Sequence, residues 1–137
     1  MPSISLPSAD FRAGENNKPK MYIAKEAINA GQYVYRSGRG EVKLAINTTI
    51  TLAAAFGVAA TTAALDGEII IIPFGRDVTI KYSSAQFTAG ETYILGDVAG
   101  EQYLAEEITS GKINTRIGVG KSTTELLMNG GTTEIAA

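Results

Sequence analysis

The chain has 137 residues, 45% of them apolar, and a formal net charge of −2. That is enough apolar material for one packed domain, or for two small lobes sharing a core, and it argues against disorder throughout. Cysteine and histidine are absent, which removes disulfides, thiolate metal sites, the commonest general base and the commonest metal ligand. With 12 Lys and Arg set against 14 Asp and Glu, there is no electrostatic case for nucleic acid.

Met1–Lys20 differs in character from the remainder of the chain. Pro2, Pro7 and Pro19 interrupt it, and 14–18 is polar. Proline fixes φ and lacks a donor, so the stretch reads as an extended arm and not as a strand in a central sheet. Its apolar residues are spaced like anchors, and Ile4, Leu6, Phe11 and Arg12 are its candidate partner contacts. It has neither the basic start nor the apolar core of a secretory signal, so the chain is expected to be made and used without secretion. No apolar run approaches the ~20 residues of a membrane-spanning helix.

Met21–Ala27 reads as a short strand centred on Tyr22 and Ile23. Ile28–Ala45 reads as a β-hairpin, with a tight turn at Ala30-Gly31, a strand at Gln32–Arg36, a glycine-rich turn at Ser37–Gly40 and a return strand at Glu41–Ile46. In the return strand Val42, Leu44 and Ile46 face one way and Lys43 and Ala45 the other. Asn47–Ala55 is open: Thr48, Thr49, Ile50 and Thr51 favour strand, while Leu52–Ala55 would accept a helical turn. Phe56–Ala60 reads as strand and Leu65–Glu68 as turn. The β-branched run Ile69–Ile72 suggests a strand buried on both faces, ended by Pro73. Val78, Ile80 and Tyr82 alternate with Asp77, Thr79 and Lys81 as a half-exposed strand. Ile113, Thr115, Ile117 and Val119 alternate with Asn114, Arg116 and Gly118, and Glu125–Met128 reads as the last strand. Nowhere is there a long 3.6-residue apolar period, so helix should be scarce.

A second hairpin at Phe87–Ala105 repeats the design of the first: apolar, polar, Ala-Gly, a short strand, a turn ending in Gly-Glu, and a strand closing in Leu-Ala. Ile28 aligns with Phe87, Leu44 with Leu104, and Phe56-Gly57-Val58 with Ile117-Gly118-Val119. The offset grows by one residue at each step, as one-residue loop insertions would produce. The repeat spans roughly 27–82 and 86–128. The expected fold is all-β: a small antiparallel β-barrel or sandwich of two similar hairpin-containing halves. A single β domain (21–137) would come after the extended N-terminal arm (1–20).

Motifs with chemical meaning are few. Gly118-Val119-Gly120-Lys121-Ser122-Thr123 resembles the end of a phosphate-binding loop, but Thr115 stands where the first glycine is needed, and its counterpart at 56–61 lacks the lysine. Glu101, Glu106 and Glu107 could be paired carboxylates, yet adjacent residues of a strand point to opposite faces, which suits a charged edge better. Asp66-Gly67-Glu68 and Asp97–Glu101 read as turns, short of the oxygen ligands of a calcium loop. Asn47-Thr48-Thr49 fits the glycosylation pattern, which means nothing without secretion. Tyr33, Tyr35, Tyr93 and Tyr103 could stack on sugars, although hairpin tyrosines usually pack across strands. No catalytic residue, cofactor or metal ligand is nominated.

Five stretches together resemble the small capsid decoration, or cement, proteins of tailed bacteriophages: Ala30–Tyr35, Gly57–Ala59, Gly67–Ile72, Ala89–Ile94 and Gly118–Gly120. The resemblance covers about Ala27–Met128 and leaves out the arm. It implies a β-rich, non-enzymatic virion protein, made in the host bacterial cytoplasm, that binds the outside of an assembled head and stabilises contacts between major capsid subunits. The implied partners are the major capsid protein and other copies of the chain, as dimer or trimer, with no nucleic acid, membrane or small-molecule substrate. The alternative is a carbohydrate-binding or receptor-binding β module of a phage tail, resting on the hairpin tyrosines.

Overall fold

The computed structural model describes residues 11–12, 19–49, 51–74, 79–81, 87–96, 99–100, 102–105, 112–127 and 133–135. Among them there are twelve strands and no α-helix. A two-residue strand, β1 (Phe11–Arg12), precedes five strands that close a barrel: β2 (Lys20–Ala24), β3 (Tyr33–Gly38), β4 (Glu41–Leu44), β5 (Ala55–Ala59) and β6 (Glu68–Pro73), in the order β2-β4-β3-β5-β6. The next five are β7 (Thr79–Lys81), β8 (Thr92–Leu95), β9 (Gln102–Leu104), β10 (Ile113–Gly120) and β11 (Glu125–Leu127). With β1 they form a sheet in the order β1-β7-β11-β10-β8-β9, and β12 (Thr133–Ile135) also pairs with β10.

The duplication is visible in this topology. Traced from its first strand, the barrel runs β2-β6-β5-β3-β4, and the second sheet runs β7-β11-β10-β8-β9. Hydrogen bonds repeat as well. The Gly31 N–H donates to the Ala59 carbonyl and the Gly90 N–H to the Gly120 carbonyl, both at 2.8 Å. The Ala59 and Gly120 N–H groups donate to the Gln32 and Glu91 carbonyls, both at 2.9 Å. This strand order groups Thr79–Lys81 with the second hairpin, whereas the sequence similarity carries the first half on to residue 82.

The two sets close differently. In the first, β2 pairs with β4 in parallel (Ile23↔Glu41, Ala24↔Val42). In the second, the matching edge of β7 is taken by β1, antiparallel, through Phe11↔Ile80 and Arg12↔Thr79.

Apolar packing tracks the strand phases. Tyr22, Ala24, Val34, Val42, Ala59, Ile69 and Ile71 form one buried cluster. Every barrel strand contributes to it, so it fills the barrel. A second cluster joins Tyr33, Tyr35, Val58 and Ile72 of the barrel to Phe87, Tyr93, Leu95, Ile113, Ile117 and Leu126 of the second set. The barrel wall facing the second sheet is thus apolar on both sides, which is why Ile69–Ile72 shows no polar alternation.

Several boundaries differ from the sequence reading. β3 extends to Gly38 through a register shift between Arg36 and Gly38, leaving Arg39-Gly40 as the turn. β4 stops at Leu44; Ala45 lies on the opposite face from Val42 and Leu44, as the alternation gives, and is fully buried there in the second cluster. Residues 47–49 and 51–53 form turns and a bend, with the Ala53 N–H donating to the Thr49 carbonyl at 2.8 Å; the helical turn read over Leu52–Ala55 does not form there, because Ala55 already begins β5. Pro73 is the last strand residue and pairs with Gly57, a terminal position that needs no donor. Glu125–Leu127 is not the last strand, because β12 comes after it.

Candidate functional site

The seam between the barrel and the second sheet is built from backbone. In an antiparallel ladder every second directly opposed pair exchanges two N–H···O bonds. Tyr33 and Ala45 stand at the next position after the Val34↔Leu44 pair. They make only one such bond, from the Ala45 N–H to the Tyr33 carbonyl at 3.0 Å. The Tyr33 N–H donates instead to the Gly100 carbonyl (2.9 Å), and the Gly100 N–H donates to the Ala45 carbonyl (2.7 Å). The β8–β9 turn is therefore inserted into the end of the β3–β4 hairpin.

This insertion needs glycine twice over. Gly100 has φ +79°, and a Cβ there would lie 2.8 Å from Leu44 Cδ2 and 3.0 Å from Gln32 Cβ. Its counterpart in the first hairpin is Gly40, at φ +72° with nothing within 4 Å of a Cβ. The Gly40 carbonyl accepts from the Ile23 N–H at 2.9 Å and so helps to close the barrel. One turn design therefore does two jobs, closure in the first set and docking in the second.

Asn47 is the polar centre of the seam. It is fully buried. Its N–H donates to the Gly96 carbonyl (3.3 Å), its carbonyl accepts from the Ile113 N–H (2.9 Å), and its Nδ2 donates to the Tyr103 hydroxyl (2.9 Å). Beside it the buried Thr115 hydroxyl donates to the Ala53 carbonyl at 2.6 Å. Each bond ties a residue of the 45–53 turn region to the second set. In the sequence, Asn47 reads only as a glycosylation pattern and Gly100 only as an ordinary turn residue. The usable signal is the alignment of Gly100 with Gly40, since one turn repeated in both halves suggests a shared backbone requirement.

The structure places the remaining sequence candidates elsewhere. Phe11 and Arg12 form β1, on the edge of the chain's own second sheet; Ile4 and Leu6 lie outside the described residues. Tyr33, Tyr35 and Tyr93 are buried and Tyr103 is half-buried against Asn47, so they form no stacking platform. Gly118–Gly120 ends a strand, and the next element is the strand Glu125–Leu127, where a phosphate loop needs a helix. Gly120 is required there by packing, since a Cβ would meet the Thr88 carbonyl oxygen. The hollow beside it, of about 230 Å³, is apolar and lined by Val119, Gly120, Lys121 and Leu127, unlike an anion cradle. Asp66 takes the turn at φ 65°. Glu101, Glu106, Glu107 and Asp97 lie outside the described residues.

On the barrel surface, Arg36 lies over the rings of Tyr22 (5.8 Å) and Phe56 (5.3 Å) and donates to the Tyr22 hydroxyl at 3.2 Å. Lys25 donates to Asp66 at 2.5 Å and lies 3.9 Å from Glu41. The hydrogen bond to Asp66, then its charge, holds the Lys25 amine above its ordinary pKa. With the folded value raised, the pair's contribution is complete below the ordinary lysine range and is lost as pH rises through the folded value. As an exposed pair it is also weakened by salt. Among the described residues no group of three Asp or Glu is placed to hold a metal ion.

Comparison with known proteins matches the chain to no family model and to no curated protein.

Two kinds of substitution test the seam. Gly100→Ala should cost about 2–4 kcal/mol, combining a left-handed backbone with a steric clash, whereas Gly40→Ala should cost about 1–2 kcal/mol, for the backbone alone. Tyr103→Phe leaves the buried Asn47 Nδ2 unpaired and should cost about 1–3 kcal/mol. Urea midpoints at constant slope measure all three. Equal losses for the two glycines would contradict the insertion.

Proposed function

We propose that this chain is a structural virion protein that binds the outer surface of an assembled phage head and stabilises contacts between major capsid subunits. Its partners are the major capsid protein and further copies of itself, and its role is non-catalytic. The observation that carries the reading is the placement of the resembling motifs. Ala30–Tyr35 and Ala89–Ile94 lead into β3 and β8, and Gly57–Ala59 and Gly118–Gly120 lie on β5 and β10. The motifs thus occupy matching positions of a duplicated β unit instead of being scattered over unrelated loops.

The physical case is one of many modest contacts. A double β unit presents broad surfaces, and an N-terminal segment that pairs as a strand can lie along a neighbour. Repetition over a shell lets weak contacts add through high effective concentration. Ile4, Leu6, Phe11 and Arg12 are the proposed arm contacts. The burial of Tyr33, Tyr35 and Tyr93 leaves the half-buried Tyr103 alone of the four tyrosines behind the sugar-binding alternative, which weighs against that reading.

The test mixes purified protein with expanded, undecorated heads and separates the mixture on a gradient. Saturable co-migration with the heads is expected, and protein that stays free at every concentration overturns the reading. Because Lys20 belongs to β2 and Phe11–Arg12 to β1, the arm is best tested by deleting Met1–Asp10. That deletion should weaken head binding and leave the β circular-dichroism spectrum unchanged; undiminished binding would remove the role assigned to Ile4 and Leu6.

A further inference from the structure

The two strand sets fill one equivalent position in different ways. The edge of β2 is covered by β4 of the same set, and the matching edge of β7 is covered by β1, a segment from upstream of both sets. The slot on β7 therefore belongs to the duplicated fold, while its occupant comes from upstream of both sets and, among the described residues, pairs through Phe11↔Ile80 and Arg12↔Thr79. A strand at a sheet edge, held from one side, opens at lower free energy than strands inside the sheet. Residues 13–18, Ala-Gly-Glu-Asn-Asn-Lys, join this occupant to the barrel and contain no strong strand former. A segment that fits the slot within its own chain fits the same slot on another copy with identical register, the condition for exchanging an element between protomers.

We infer that the β7 edge is an exchange site for the N-terminal strand of a second copy of this chain. Within one chain the tethered strand has an effective concentration in the ~mM range, so exchange sets in when copies are packed at comparable density. Reciprocal exchange closes a twofold dimer, and onward exchange to a third copy closes a ring. Pairing in trans uses the same backbone groups as pairing in cis, so it needs no new surface. The inference concerns the chain with itself and does not depend on the capsid reading.

The natural absence of cysteine makes the test clean. Directly opposed antiparallel residues lie within disulfide reach. A copy carrying Phe11→Cys and a differently tagged copy carrying Ile80→Cys are refolded together at ~mM concentration and oxidised. The expected product is the mixed disulfide dimer, in excess over either homodimer and rising with protein concentration. The control pairs Phe11→Cys with Met21→Cys, an exposed residue of β2. A mixed product no greater than in this control overturns the inference. Arg12→Cys with Thr79→Cys reads the adjacent pair, should Phe11→Cys impair folding. The double variant F11C/I80C, refolded dilute, is expected to bridge within one chain; failure to bridge would remove the slot itself and the inference with it. Head binding is not read, so its failure would leave this result standing.

Discussion

The rest of the molecule depends on a backbone substitution in a ladder. Gly100 takes the place that the Tyr33 N–H and Ala45 carbonyl would otherwise fill for each other. The first hairpin thereby exchanges one bond of its own for two bonds to the second set. Such bonds are individually worth about 1 kcal/mol net, but their geometry is strict. They set the distance and angle at which the two sets meet, and the shared apolar cluster fills that fixed space. Asn47 and Thr115 add polar ties beside it, and all of these groups are buried, where an unmet donor or acceptor is costly.

Duplication supplied two copies of one strand order, and asymmetry arose in how each was completed. The barrel has no edge, which removes the usual liability of a small sheet. The second sheet is completed from outside its own repeat. The same turn glycine shows the divergence at single-residue scale: Gly40 remains open to solvent and Gly100 is packed against Leu44 and Gln32.

Local pattern makes much of the architecture legible. Alternation in β10 and the unbroken run in β6 reflect burial on one face and on two, and the Ala-Gly turns announce both hairpins. The seam is not legible, because its bonds join backbone groups, which carry no side-chain signature. Asn47 illustrates this: nothing in its neighbours distinguishes a buried bridging amide from a surface one. The burial of Ala45 escapes the sequence for a related reason, since the face it shares with Lys43 is covered only when another element docks there. β12 is hidden because Gly130-Gly131 reads as punctuation, and so short a strand gives no period to detect.

The position of β1 also bears on the order in which the chain can assemble. The barrel strands span Lys20–Pro73 and can pair as soon as that length has been made. Phe11 and Arg12 precede all of them, yet their partners on β7 come after all of them. In synthesis from the N-terminus, Phe11 and Arg12 must therefore wait for their β7 partners while an entire barrel closes downstream. A segment made before the barrel is placed only after it.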